Sequence, residues 1–195
     1  YAADINFVLG RATINISSIS INWVKEIKNI AYSFLSTSFT IDEFDEIYVS
    51  STLQLKSDDA TRDSFWVGKF TTDGDSVWNY RYLAPGRDIN LVQNTKLDIF
   101  NELNVSFTRT NNTSDKRTVD TVKINYKGDI VNHVTTDFTD NNVEGITAHT
   151  MTVDVSGDVY IFGQTSWNRN EAIYTFDSDL SDVTEHHTLS TIALN

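Results

Sequence analysis

Apolar and polar residues alternate along most of this chain with the period of two expected of half-buried β-strands, and the alternation is punctuated by a recurring string. Three segments share it: Thr40-Ile41-Asp42-Glu43-Phe44-Asp45-Glu46-Ile47-Tyr48-Val49, Lys96-Leu97-Asp98-Ile99-Phe100-Asn101-Glu102-Leu103-Asn104-Val105, and Thr152-Val153-Asp154-Val155-Ser156-Gly157-Asp158-Val159-Tyr160-Ile161. Asp42, Asp98 and Asp154 are spaced 56 residues apart both times, without a gap. In each segment an apolar residue ends one strand. The Asp, together with Asp45, Asn101 or Gly157, makes a tight turn, because Asn, Asp and Gly tolerate the backbone such a turn needs. Alternating apolar residues then open the next strand, which is a hairpin signal.

A second half follows each segment. It reads Phe65 through Trp78 in one copy, Val119 through Val131 in the next and Ala172 through Val183 in the last. Each is strand, polar turn, strand, with Gly74 and Gly128 as turn glycines in the first two copies. Lys69 and Lys123 are 54 residues apart, so the loop between the halves is two residues shorter in the later copy.

Four strands per repeat follow from this, in units at about 36–83, 94–137 and 148–189, with an incomplete unit at about 1–30. In that first unit Asp4–Gly10 matches Asp158–Gly163 loosely and Ile19–Val24 matches the Trp78 strand, so it lacks its opening strand. Four-stranded antiparallel units that repeat in this way predict an all-β fold built of β-propeller blades, about 3.75 of them in one domain. A lone blade cannot bury both faces, so neighbours must stack. Thr191-Ile192-Ala193-Leu194 could complete a four-bladed ring. The start at Tyr1, inside a unit, favours a window onto a larger propeller. A β-sandwich or stacked solenoid is the alternative architecture.

Composition narrows the function more than the fold. The chain has 195 residues, 39% hydrophobic and 12% aromatic, enough to bury a core and too many for disorder. No apolar run is long enough for a helical membrane span, and no secretory signal is visible. There is no cysteine, which excludes disulfides, thiol catalysis and cysteine-based zinc sites. The net charge of −12 makes the surface repel phosphates, so neither nucleic acid nor an anionic membrane is an expected partner.

Val153-Asp154-Val155-Ser156-Gly157-Asp158-Val159-Tyr160-Ile161-Phe162-Gly163-Gln164-Thr165 resembles the core of the bacterial β-propeller repeat called SBBP. That core reads apolar-Asp-x-x-Gly-Asn-apolar-Tyr-apolar-x-Gly-x-Thr. Trp66-Val67-Gly68-Lys69-Phe70, continuing through Gly74 to Trp78, resembles the family's second half. The likeness weakens in the third unit, where Asn104 stands in the Tyr position and no Gly follows. The resemblance implies a propeller in a bacterial surface protein or a virion protein of tailed phages. The cysteine-free, Asn/Thr/Asp-rich composition is closer to the phage group.

Candidate chemistry is sparse. Asp42, Asp98 and Asp154 read as turn caps, with calcium binding the sharper alternative. Gly74, Gly128 and Gly157 read as structural turn residues. Asp177-Ser178-Asp179-Leu180-Ser181-Asp182 alternates carboxylates but lacks the glycine and terminal Glu of an EF-hand loop. Thr71–Trp78 is similar to the sialidase Asp-box, with the wrong spacing at Asp73-Gly74. Arg62, Arg81, Arg87 and Arg109 are scattered without a supporting motif. His186 and His187 are adjacent on a strand and face opposite sides, so they do not chelate one ion; His133 and His149 are isolated. Trp23, Trp66 and Trp78 read as packing residues. Trp167, beside Arg169 in a polar loop, is the best ligand or partner contact.

These readings predict no catalytic residue, no metal site and no cofactor. The expected role is a non-enzymatic virion or extracellular scaffold, first of all a tail- or fibre-associated component of a phage virion, that contacts other virion or surface proteins or a host-surface glycan. A lectin-like propeller and, last, a glycoside hydrolase are the alternatives, since a fold alone does not decide activity.

Overall fold

The computed structural model describes residues 7–15, 18–27, 32–55, 64–83, 88–110, 117–136, 146–165, 171–181 and 183–188. They form strands and turns and no helix. The alternating segments become β3 (Tyr32–Ile41), β4 (Ile47–Leu55), β5 (Ser64–Phe70) and β6 (Ser76–Leu83) in one sheet. The next sheet holds β7 (Asp88–Leu97), β8 (Leu103–Thr110), β9 (Arg117–Ile124) and β10 (Ile130–Thr136). The third holds β11 (Ile146–Val153), β12 (Val159–Thr165), β13 (Glu171–Phe176) and β14 (Val183–Thr188). Each is an antiparallel meander in chain order. The first strand of every sheet carries a bulge, at Phe34/Thr37, Ile89/Leu91 and Ala148/Thr150. Ahead of them β1 (Phe7–Asn15) pairs directly with β2 (Ser18–Ile27) as a two-stranded hairpin.

The sheets are layered in sequence order. β3 lies against β7, and β7 against β11. Tyr48, Phe65 and Val67 of the first sheet meet Leu103, Val105, Phe107, Val122 and Ile124 of the second, with Trp78, Tyr80 and Tyr82 around them. Val119 of the second sheet meets Met151, Val159, Ile161, Tyr174 and Phe176 of the third. The hairpin supplies Leu9 and Ile27 to the other face of the first sheet, against Phe34, Val49, Leu53 and Trp66. This layering explains why β5 and β8 are buried along nearly their whole length. Each is an interior strand of a sheet covered on both faces, so strict alternation of burial is lost.

Candidate interaction face at the tight turns

In an antiparallel meander the first and third connections leave at the same edge. The short turns of each sheet therefore share one end. Each short turn is built around one side chain. Asp42 Oδ1 accepts the backbone N–H of Phe44 and of Glu46, each at 2.9 Å. Asp98 Oδ1 does the same for Phe100 (2.8 Å) and Glu102 (3.0 Å), and Asp154 Oδ1 for Ser156 (2.8 Å) and Asp158 (3.0 Å). In the second turns Thr71 Oγ1 and Asn125 Oδ1 take the equivalent pair. Asp177 Oδ1 accepts Ser181 N–H at 2.6 Å, and its Oδ2 accepts the Ser181 hydroxyl.

The fourth residue of each turn lies in the left-handed region: Asp45, Gly74, Asn101, Gly128, Gly157 and Leu180, with φ from 57° to 95°. The repeated carboxylates are thus occupied by backbone donors. In Asp154 those N–H bonds, with one from the Tyr160 hydroxyl, outweigh desolvation and hold the carboxyl below its ordinary value.

Such a turn leaves its two middle residues pointing outward. Four of these six turns place large apolar side chains there. Phe44 and Phe100 occupy the same turn position and are 68% and 62% exposed; Ile99, Tyr126 and Val155 project beside them. Phe100 leans toward Gly157 in the next sheet, where a methyl group would stand 3.4 Å from its ring. Between neighbouring turns run two open grooves of about 420 Å³ each. One is lined by Leu97, Asp98, Ile99, Val153, Asp154 and Val155, the other by residues that include Phe100, Glu102, Lys123 and Asp179. Sequence reading missed this face because attention to the turn-forming Asp and Gly passes over the residues between them; a large apolar residue inside a turn was the available signal.

The turns also clip the layers together. Trp78 in β6 donates its indole N–H to the Tyr126 carbonyl in the next sheet, and Asn132 in β10 donates to the Asp179 carbonyl one sheet further on. Lys25 of the hairpin reaches the Gly74 carbonyl at 2.7 Å, and Arg11 pairs with Asp45 at 2.9 Å. Lys69 pairs with Glu46 at 2.5 Å. Burial opposes the Lys69 charge, but hydrogen bonds to Glu46 and Tyr48 more than offset it, and its pKa is raised.

Away from the turns, β8, β9 and β10 bring together Arg109 and His133, which look isolated in the sequence. Both approach Asp120 Oδ2, Arg109 Nη2 and His133 Nε2 each at 2.6 Å. Thr135 donates to the same oxygen and Thr118 to Oδ1. Tyr82, from the preceding sheet, shares a hydrogen bond with His133 Nδ1 at 3.0 Å. Burial, then the charge of Asp120, raises the Tyr82 pKa, with Arg109 opposing. Asp120 itself is fully buried, which makes this network a polar seam between two sheets.

Trp167, Arg169 and Asp182 lie outside the described residues, and the side chains of Trp23, His186 and His187 are likewise not described. Trp66 is buried against Phe34 and Phe70. Arg81 and Arg109 lie on different sheets. Among the described residues, no three His, Asp or Glu side chains converge as a metal ion would require. No protein-family model matches the chain, and no curated protein is detectably similar to it.

Proposed function

We propose that this chain is a non-enzymatic repeat scaffold built of β-propeller blades, in a virion or on a cell surface, that makes protein contacts through its tight-turn face. The observation that carries the reading is the pair Phe44 and Phe100. Aromatic side chains at equivalent positions of successive repeats are held out to solvent on turns whose backbone is tied by an Asp side chain and by backbone bonds. A rigid turn presents an apolar side chain at little entropic cost, and exposed apolar patches of this kind mark association surfaces. The propeller arrangement is supported by the four-stranded meanders and by the succession β3, β7, β11, in which the opening strands of neighbouring sheets lie side by side.

The test is mass spectrometry of purified particles and surface fractions, followed by the double variant Phe44→Ser, Phe100→Ser. The protein is expected in particles or surface fractions. The variant is expected to unfold at the wild-type denaturant concentration but to be lost from those fractions. Absence of the wild-type protein from both fractions, or full retention of the variant, overturns the reading.

A further inference from the structure

The three first turns differ at one point. Tyr48 and Tyr160 donate their hydroxyls to Oδ2 of Asp42 and Asp154, at 3.4 and 3.2 Å. In the middle sheet Asn104 stands at the tyrosine position, opposite Lys123 in the β8–β9 register. The space a tyrosine ring would fill is taken by the lysine, whose Nζ lies 2.8 Å from Asp98 Oδ2 and 3.4 Å from Glu102 Oε2. The Lys123 and Asp98 side chains are 3% and 0% exposed. In the first sheet Lys69 is kept to Glu46, with Nζ 5.0 Å from the centroid of the Tyr48 ring; in the third, Thr175 occupies the lysine's register position, opposite Tyr160.

Asp98 therefore combines three features. An amine touches one carboxylate oxygen. The other oxygen rests on two backbone N–H groups, from Phe100 and Glu102. A second carboxylate stands within reach of the amine's protons. Donors that hold a carboxylate oxygen also hold the oxyanion of a tetrahedral intermediate at the same atom, and they are most effective where water is excluded.

We propose that Lys123 and Asp98 condense in the folded protein to an intramolecular isopeptide bond. Glu102 relays one Lys123 ammonium proton to Asp98 Oδ2, and the neutral amine then attacks Cγ of the resulting carboxylic acid, forming the C–N bond. Oδ1 carries the negative charge on the N–H groups of Phe100 and Glu102. Two of the three ammonium protons reach Oδ2, relayed by Glu102, and the Cγ–Oδ2 bond breaks to release water. The third proton stays on the new amide nitrogen, against the Ser178 carbonyl that already accepts from Lys123. Ammonium and carboxylate supply every atom, and nothing is oxidised or reduced. Oδ1 goes on capping the turn, so the bond fastens the β7–β8 turn to β9 without disturbing the hairpin.

Intact-mass spectrometry of the whole protein, aged at neutral pH, tests this, with tandem fragmentation of its proteolytic peptides. The expected result is a mass lower by one water and a branched peptide joining Asp98 to Lys123. K123M is expected to keep its full mass. D98N, which retains the Oδ1 cap, is expected to lose ammonia instead of water. E102Q is expected to fold but to form the bond at least roughly tenfold more slowly, the effect of losing a proton relay. Full mass in the aged wild type, with an unchanged circular dichroism spectrum, overturns the proposal. So does a loss of water mapped to a succinimide at Asp73-Gly74, or a loss of ammonia joining Asn104 to Lys123.

Discussion

The indole of Trp78 lies so close over Gly128 that a methyl group on the glycine would come within 2.9 Å of the ring. Gly128 also sits at φ 95°, a conformation that residues with a Cβ adopt at a cost. Gly128→Ala is therefore expected to lose about 2–4 kcal/mol of stability from the backbone and the clash together. Trp78→Phe removes the bond to the Tyr126 carbonyl and part of the ring's packing against Gly128, Tyr48 and Tyr80, at about 1–3 kcal/mol. Urea denaturation of the two variants separates these effects.

Asp120 holds the charge of a buried arginine. Asp120→Ala leaves Arg109, itself 8% exposed, without its carboxylate, and is expected to cost about 3–5 kcal/mol. Adding Arg109→Met to the same chain is expected to recover part of that loss, because no buried charge is then left unpaired, although Thr118, His133 and Thr135 still lack their acceptor. A double-mutant cycle by chemical denaturation measures the coupling.

Leu180 and Asp45 share a left-handed backbone, at φ 59° and 63°, and differ in what their side chains do. Asp45 is exposed and makes one surface ion pair with Arg11. Asp45→Gly is expected to stabilise by about 0.5–1 kcal/mol as the strain is relieved. Leu180 is 3% exposed and packs into the core of the third sheet. Leu180→Gly is expected to destabilise by about 1–3 kcal/mol, since the lost burial exceeds the relief. Thermal and urea midpoints should move in opposite directions for the two.

Asp154 makes the fold sensitive to acid. Its folded pKa lies below the ordinary value of 3.8, so its contribution is complete above the unfolded pKa and is lost as the pH falls through the lowered one. Asp154→Asn keeps an oxygen for the two N–H groups but no charge. The variant is expected to be less stable than wild type at neutral pH, with the difference closing below about pH 4. Urea midpoints measured across that range check the sign.

The 56-residue spacing of Asp42, Asp98 and Asp154 was legible because a tight turn needs a particular side chain at a particular place, and three turns in phase leave a printed period. The four-strand units follow from the same period. The start of the chain was less legible: its apolar matches to later strands are loose, and β1 instead pairs directly with β2. The apolar face of Phe44 and Phe100 was hidden because the turn is specified by Asp42 and Asp45, or Asp98 and Asn101, and the residues between them play no part in forming it.

By itself the sequence determined the local hydrogen bonding, since an Asp, Thr or Asn side chain bonds to N–H groups two and four residues away and needs nothing else. Tertiary structure decided which distant side chains meet. Arg109, Asp120 and His133 share a carboxylate oxygen only because β8, β9 and β10 pair in one register, and Tyr82 joins them only because the first sheet stacks on the second. Lys123 touches Asp98 for a related reason, because the residue across the strand is a short asparagine. No local rule records that space, since it exists only between strands brought together by folding.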